Sequence, residues 1–181
     1  MVAKPHIAYH TQCAVHGPMS PVRIVLHDTE SHDAEGIADI AAVFAFWRRQ
    51  GLGYGAHFVV DGDGNIGQGG YAHQMLYHVG GMNTGSVGIE QIGFASFTRT
   101  MWSRRRRKQF MAVARLLAYL SDRHGIPLVV ATGSGVCTHA MVSALGLPGS
   151  SGHYDPGKNY PLYAVVLTAR AIKRANRKRG R

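Results

Sequence analysis

Four polar residues stand where apolar runs give way to loops, and their types could do chemistry together. His27 follows Val25-Leu26, Glu90 follows Gly88-Ile89, His139 follows Cys137-Thr138, and Asp155 lies in the segment His153-Tyr154-Asp155-Pro156-Gly157. Two imidazoles and one carboxylate suit a borderline-soft Zn²⁺, and three protein ligands leave the fourth position open to water. Zinc lowers the pKa of such a water to about 7 and polarises a carbonyl in the same step. In that arrangement Glu90 serves as general base and His153 as donor to a developing oxyanion. Spacing alone does not single these residues out. No HExxH or CxxC fixes the ligands locally, Cys137 is a rival to His139, and eleven histidines allow ordinary structural roles at each position.

The elements that must hold these groups can be read from hydrophobic period and turn chemistry. Val22–Thr29 is an apolar run of strand length after Pro21 and ends on polar groups. Asp33 is placed to cap a helix over Ala34–Gln50, with Ile37, Ile40, Ala41, Phe44 and Trp47 as its apolar stripe and Gly51 as its stop. Gly55–Gln68 reads as a β-hairpin around Asp-Gly-Asp-Gly, and His57 on its first strand is expected to face the core or its rim. Met75–Val79 and Ser86–Gly93 are further strand candidates. A long helix is expected over Ser103–His124, with Phe110, Val113, Leu117 and Leu120 inward and Arg104–Lys108 crowding its first turns. Cations there oppose the helix dipole, so helix stability does not explain them. Leu128–Thr132 reads as a returning strand, and Val136–Ala144 sets Cys137 and His139 at a strand end or loop. Gly146–Tyr160 is a Gly/Pro/Ser-rich loop, and Pro161–Arg177 forms a last helix with a basic end. Strands interleaved with helices give an α/β fold: one domain over 1–181 with a core at about 20–165, a central mixed sheet flanked by helices, and the site in a groove at one end of the sheet.

Composition narrows the partners. The 181 residues are 45% hydrophobic and 17% charged, which excludes a disordered tail or a coiled coil. No apolar run reaches the roughly 18 residues of a membrane span, and the first residues lack the apolar stretch of a secretory signal. Residues 1–90 carry eight acids and four Lys or Arg, whereas residues 91–181 carry two acids and sixteen. Such asymmetry points to a polyanionic partner, with a solvated basic face as the plain alternative. Cys13 and Cys137 are either reduced thiols or one bridge.

Five segments in order resemble the zinc-dependent N-acetylmuramoyl-L-alanine amidases, a family that includes phage endolysins, bacterial recycling amidases and animal peptidoglycan recognition proteins. They are IVLHDTES (24–31), GAHFVVDGDGNIGQ (55–68), YHVGGMNTGSVGIEQIG (77–93), CTHAMVS (137–143) and GHYDPGKNYP (152–161). The resemblance implies that His27, His139 and Asp155 are the zinc ligands and that Glu90 is the catalytic glutamate. It also implies that His78 and Asn83 line the substrate groove, which Tyr54 could reach. Ala56 stands where some phage relatives carry a catalytic tyrosine. His153 stands where many relatives carry lysine, and Ala144–Gly152 looks like an insertion before the third ligand. The implied activity is hydrolysis of the bond between N-acetylmuramic acid and L-alanine in bacterial peptidoglycan. A monomeric phage lytic enzyme is expected, resident in the host bacterial cytoplasm until lysis, with anionic cell-wall polymers held by the basic half. A muropeptide-recycling enzyme and a non-catalytic wall-binding module are the alternatives. Nucleic-acid binding would explain the charge but not His27, Glu90, His139 and Asp155, and no specific nucleic acid is expected.

Overall fold

The computed structural model describes residues 1–34, 36–51 and 53–179. Six strands form one mixed sheet: β1 (Tyr9–His10), β2 (Arg23–Asp28), β3 (Phe58–Val60), β4 (Ile66–Gln68), β5 (Ser86–Gln91) and β6 (Gly135–Thr138). Their order is β1-β4-β3-β5-β2-β6, and the β3–β4 hairpin is its antiparallel pair. Four helices cover it: α1 (Ile37–Gln50), α2 (Arg107–His124), α3 (His139–Ser143) and α4 (Leu162–Arg179). Among the described residues no helix is long and apolar enough to cross a membrane.

Strand alternation sorts side chains onto two faces. Ile24, Leu26, Phe58, Val60, Val87 and Ile89 pack against α2 and α4 in the main core. Val59 meets Ile40 and Phe44 of α1 on the other face, where Val25 and Cys137 meet Val142 of α3. Each fully buried Ile or Leu contributes roughly 1.5–3 kcal/mol, so the central strands are anchored from both sides. His27 and Glu90 are paired in the β2–β5 register and share the face of Val25 and Gly88. The face that carries the chemistry is therefore the α1 and α3 face.

Several expectations are corrected. Helix α1 starts at Ile37 with Gly36 as its cap residue and no side-chain cap. Asp33 is instead drawn away, accepting from Gly62 N–H at 2.7 Å and pairing with Arg106. Glu35, inside the expected helix, lies outside the described residues, as do Gly180 and Arg181 of the basic tail. Met75–Val79 is not a strand; Met75 exchanges backbone bonds with His16 and Gly17, and Tyr77 forms an isolated bridge with Tyr54, its O accepting from Gly55 N–H. Leu128–Thr132 likewise gives only a Val130–Val136 bridge, because the chain turns back on itself at once, with Val136 N–H on Val129 O. The helix expected from Ser103 opens as a wide π turn, Met101–Arg105, before α2. Cys13 and Cys137 are buried free thiols in different clusters, with burial pushing them up to about 11 and about 12.

His57 is fully buried, as expected for a core position. Its Nδ1 accepts from Gly88 N–H at 3.0 Å, which leaves Nε2–H to donate to Gln74 O at 2.8 Å. Burial holds its pKa at about 4, with the Gln74 bond opposing. A depressed folded pKa stabilises the protein above the unfolded value near 6.5 and loses that contribution as pH falls through about 4. We expect the metal-free protein to lose about 3 kcal/mol from this group across that window. Chemical denaturation at several pH values checks it, with His57→Gln expected to flatten that part of the profile.

Candidate metal centre and active site

The ends of β2 and β6 and the loop before α4 bring three side chains together. His27 Nδ1 and His139 Nδ1 are 3.1 Å apart, and each lies 3.3 Å from an oxygen of Asp155. All three residues are buried, and their ligand atoms could surround one cation. Helix α3 sets His139: Thr138 Oγ1 caps it by accepting from Met141 N–H, and Ala140 N–H donates to Asp155 O, tying the third residue to the second. Burial alone would raise the Asp155 carboxyl, but the His139 and His27 rings against it hold it well below the ordinary carboxylate range. Cys137 points instead into the cluster with Val25, Val79 and Val142, which removes it as a rival ligand.

A chain of hydrogen bonds fixes the tautomer of His27. Ser86 O, an acceptor only, lies 3.2 Å from His78 Nε2, so that nitrogen carries the proton. His78 Nδ1 is then an acceptor and takes the Nε2–H of His27 at 3.1 Å. His27 is left with a bare Nδ1 lone pair facing His139 and Asp155, the state a metal ligand requires. His139 Nε2 is buried without a partner, so nothing on that side competes for orientation. With two imidazole nitrogens and a carboxylate on one point, the residues present fit a divalent ion of mixed N/O preference.

The ring of His78 rests directly on Gly88, where an added Cβ would meet its Cγ at 2.7 Å. Gly88→Ala is therefore expected to push the ring away and to weaken divalent-metal affinity about 10- to 100-fold, as loss of an outer hydrogen bond to a metal histidine does. Titration of the metal-free protein with Zn²⁺ measures this directly.

The three residues sit in a groove of about 980 Å³ on the α1 face. Glu90, His153, His78, Asn83 and Tyr54 all line it beside those three, whereas Cys137 does not. Glu90 Oε2 is buried without a partner, and burial, with Asp155 and Asp28 nearby, raises the carboxyl well above its ordinary value. His153 stacks on His139 with ring centroids 3.8 Å apart, and its Nδ1 lies 3.7 Å from Asp155 Oδ1. Burial and then His139 lower its pKa, with Asp155 opposing. Asn83 Oδ1 accepts from His78 N–H and Val79 N–H, each at 2.8 Å, so it also shapes the turn that carries His78. Tyr54 is held by the neighbouring loop, with Gly55 N–H on Tyr77 O at 2.9 Å.

Sequence reasoning missed part of the wall. Phe46, Trp47 and Arg49 of α1 line the groove, and Phe46 is 47% exposed. The signal was a second helical stripe, Ala42, Val43, Phe46 and Arg49, beside the core stripe. Asp28 also lies there, and burial followed by Glu30 pushes it up to about 9.

The sequence profile described as N-acetylmuramoyl-L-alanine amidase matches residues 17–158. Among curated proteins none matches the sequence significantly. Among solved structures the chain is similar to N-acetylmuramoyl-L-alanine amidase LysC from Clostridium intestinale, at 21% identity and TM-score 0.66 over 92% of this chain and 99% of that one. It is also similar to the hydrolase AmiA of Staphylococcus aureus, at 20% identity and TM-score 0.68 over 96% and 87%. The recognition protein PGRP-SA of Apis mellifera shares the fold at 19% identity and TM-score 0.56 over 71% and 88%. With the profile spanning most of its length, including His27, His139 and Asp155, the chain belongs to the N-acetylmuramoyl-L-alanine amidase family.

Proposed function

We propose that the chain is a zinc-dependent amidase that cleaves the amide between the lactyl group of N-acetylmuramic acid and L-alanine in peptidoglycan, and that it serves as a phage lytic enzyme. The convergence of His27 Nδ1, His139 Nδ1 and Asp155, with the His27 tautomer fixed by His78, carries this reading. Zinc on these three groups would polarise the scissile carbonyl and supply a water with a pKa of about 7. Glu90, which lines the groove and keeps one carboxyl oxygen without a partner, takes the proton of the attacking water as oxygen bonds to the carbonyl carbon. The same carboxyl then delivers that proton to the departing nitrogen as the C–N bond breaks. The products are a carboxylate on the lactyl group and a stem peptide with a new amino terminus. His153, open to the groove, offers a ring N–H to the developing oxyanion. His78, Asn83 and Tyr54 form the walls against which muramyl peptide lies.

In this reading the enzyme waits in the host bacterial cytoplasm and acts on the wall at lysis. It works as a monomer, a state supported by the mutual repulsion of chains that each carry +10. Digestion of purified peptidoglycan with and without a strong chelator tests the reading. New alanine amino groups, no new reducing ends, and activity restored by Zn²⁺ are expected. New reducing ends would make the enzyme a glycosidase and remove the metal from the mechanism.

A further inference from the structure

The charge of this protein is divided by its sheet. The helical layer behind it, residues 101–124 and 162–179, carries thirteen Lys or Arg and a single acid, Asp122. The groove on the other face is lined by Asp28, Glu30, Asp39, Glu90 and Asp155, with Arg49 as its one Lys or Arg. Within the helical layer Asp122 serves Lys173 and Arg177, while Arg106 and Lys108 reach out to Asp33 and Asp63. Among the described residues no carboxylate lies within 4.0 Å of Arg104, Arg105, Arg107, Arg174 or Lys178. These cations are left to face solvent, and those opening α2 also oppose its dipole.

The same layer exposes apolar surface. The outer face of α4 runs from Tyr163, 72% exposed, through Ala164, Leu167, 58% exposed, and Ala171 to Arg174 and Lys178. These positions recur every three or four residues, so they form one stripe, apolar at the start and cationic at the end. Beside its apolar start lies a cleft of about 330 Å³ between the openings of α2 and α4, walled by Trp102, Phe110, Met111 and Pro161 with Arg107 among them.

We propose that this layer docks on an anionic phospholipid bilayer, leaving the groove turned away from the membrane and open to wall substrate. Free phosphate-rich polymers would neutralise the cations but find no use for Tyr163 and Leu167. A phospholipid surface takes both, with headgroup phosphates on the arginines and lysines and the apolar side chains at the acyl boundary. The orientation follows from the sheet, which holds the two surfaces back to back. The proposal is independent of which bond the groove cleaves.

Co-sedimentation with vesicles of phosphatidylcholine alone, and of phosphatidylcholine with phosphatidylglycerol, tests it. Binding only to the phosphatidylglycerol vesicles is expected, weakened by salt because the charges are exposed. The pair Tyr163→Ser with Leu167→Ser, and separately Arg174→Glu with Lys178→Glu, should each lower vesicle binding about tenfold or more. Both pairs should leave the thermal midpoint and the hydrolysis of a soluble muramyl peptide unchanged. Vesicle binding that ignores the Tyr163 and Leu167 replacements overturns the proposal. So does retention of DNA or a polyphosphate polymer without vesicle binding, which would make this a general polyanion face.

Discussion

Asp155→Asn is expected to cost on the order of a thousandfold or more in amidase turnover, because in the proposed mechanism it removes a charged ligand that holds a metal-bound water near a pKa of 7. The physical argument rests on how Asp155 is held. Its two oxygens each lie 3.3 Å from a histidine nitrogen, and they keep two Nδ1 atoms 3.1 Å apart from facing one another without an anion between them. The asparagine keeps the shape and one oxygen but loses the charge, so folding should survive while affinity for zinc collapses. Metal content of the purified variant and its turnover are the two readouts. A variant that keeps both its zinc and its rate would show that other residues, such as His153 beside His139, complete the centre.

Glu90→Gln should be almost as damaging to the rate and yet leave the metal in place. A positioned general base contributes 10²- to 10⁴-fold, and the amide cannot accept the water's proton. The stability of the metal-free protein should move the other way. Burial raises the Glu90 carboxyl well above its ordinary value. Above the unfolded pKa near 4.5, folding must therefore either take up a proton or bury a charge. That cost grows with pH, so the metal-free glutamine variant is expected to melt higher than wild type at pH 8. The difference should vanish as pH falls toward 4.5. A fall in rate together with lost zinc would instead place Glu90 among the groups that hold the metal centre.

A lower rate with retained zinc and higher metal-free stability forms a signature that mere structural damage does not produce. Damage lowers rate, metal content and melting temperature together. The two substitutions therefore separate the proposed role of Asp155 in holding the ion from that of Glu90 in moving the proton.

Much of the site was legible in the sequence. The apolar run that ends at His27, the hairpin around Asp-Gly-Asp-Gly and the strand that carries Glu90 are local patterns of period two, and the structure reproduces them as β2, β3–β4 and β5. The order of five short segments identified the family, because it records the spacing at which strand ends deliver ligands. What failed locally failed for a tertiary reason. Asp33 had the chemistry of a helix cap, but Arg106, 73 residues away, and the Gly62 N–H took its carboxylate. Met75–Val79 had strand composition, but its backbone partners were His16, Gly17 and Gly55, which belong to no strand of the sheet.

Residue types and their order thus determined by themselves which groups could bind metal and move a proton. Tertiary structure alone decided that the Nδ1 of His27 carries the lone pair. That choice runs through His78 and the Ser86 carbonyl, which approach His27 only when β5 pairs with β2. Tertiary structure also decided where the charge goes. Composition gave an acidic half and a basic half, but only the packing of α1, the end of β5 and the loops after β2 and before α4 on one side of the sheet put acids in the groove, with the cationic helices behind it. Local windows fix propensity; a tautomer, a stolen cap and a two-faced charge distribution each need a contact between residues that the chain brings together only when it folds.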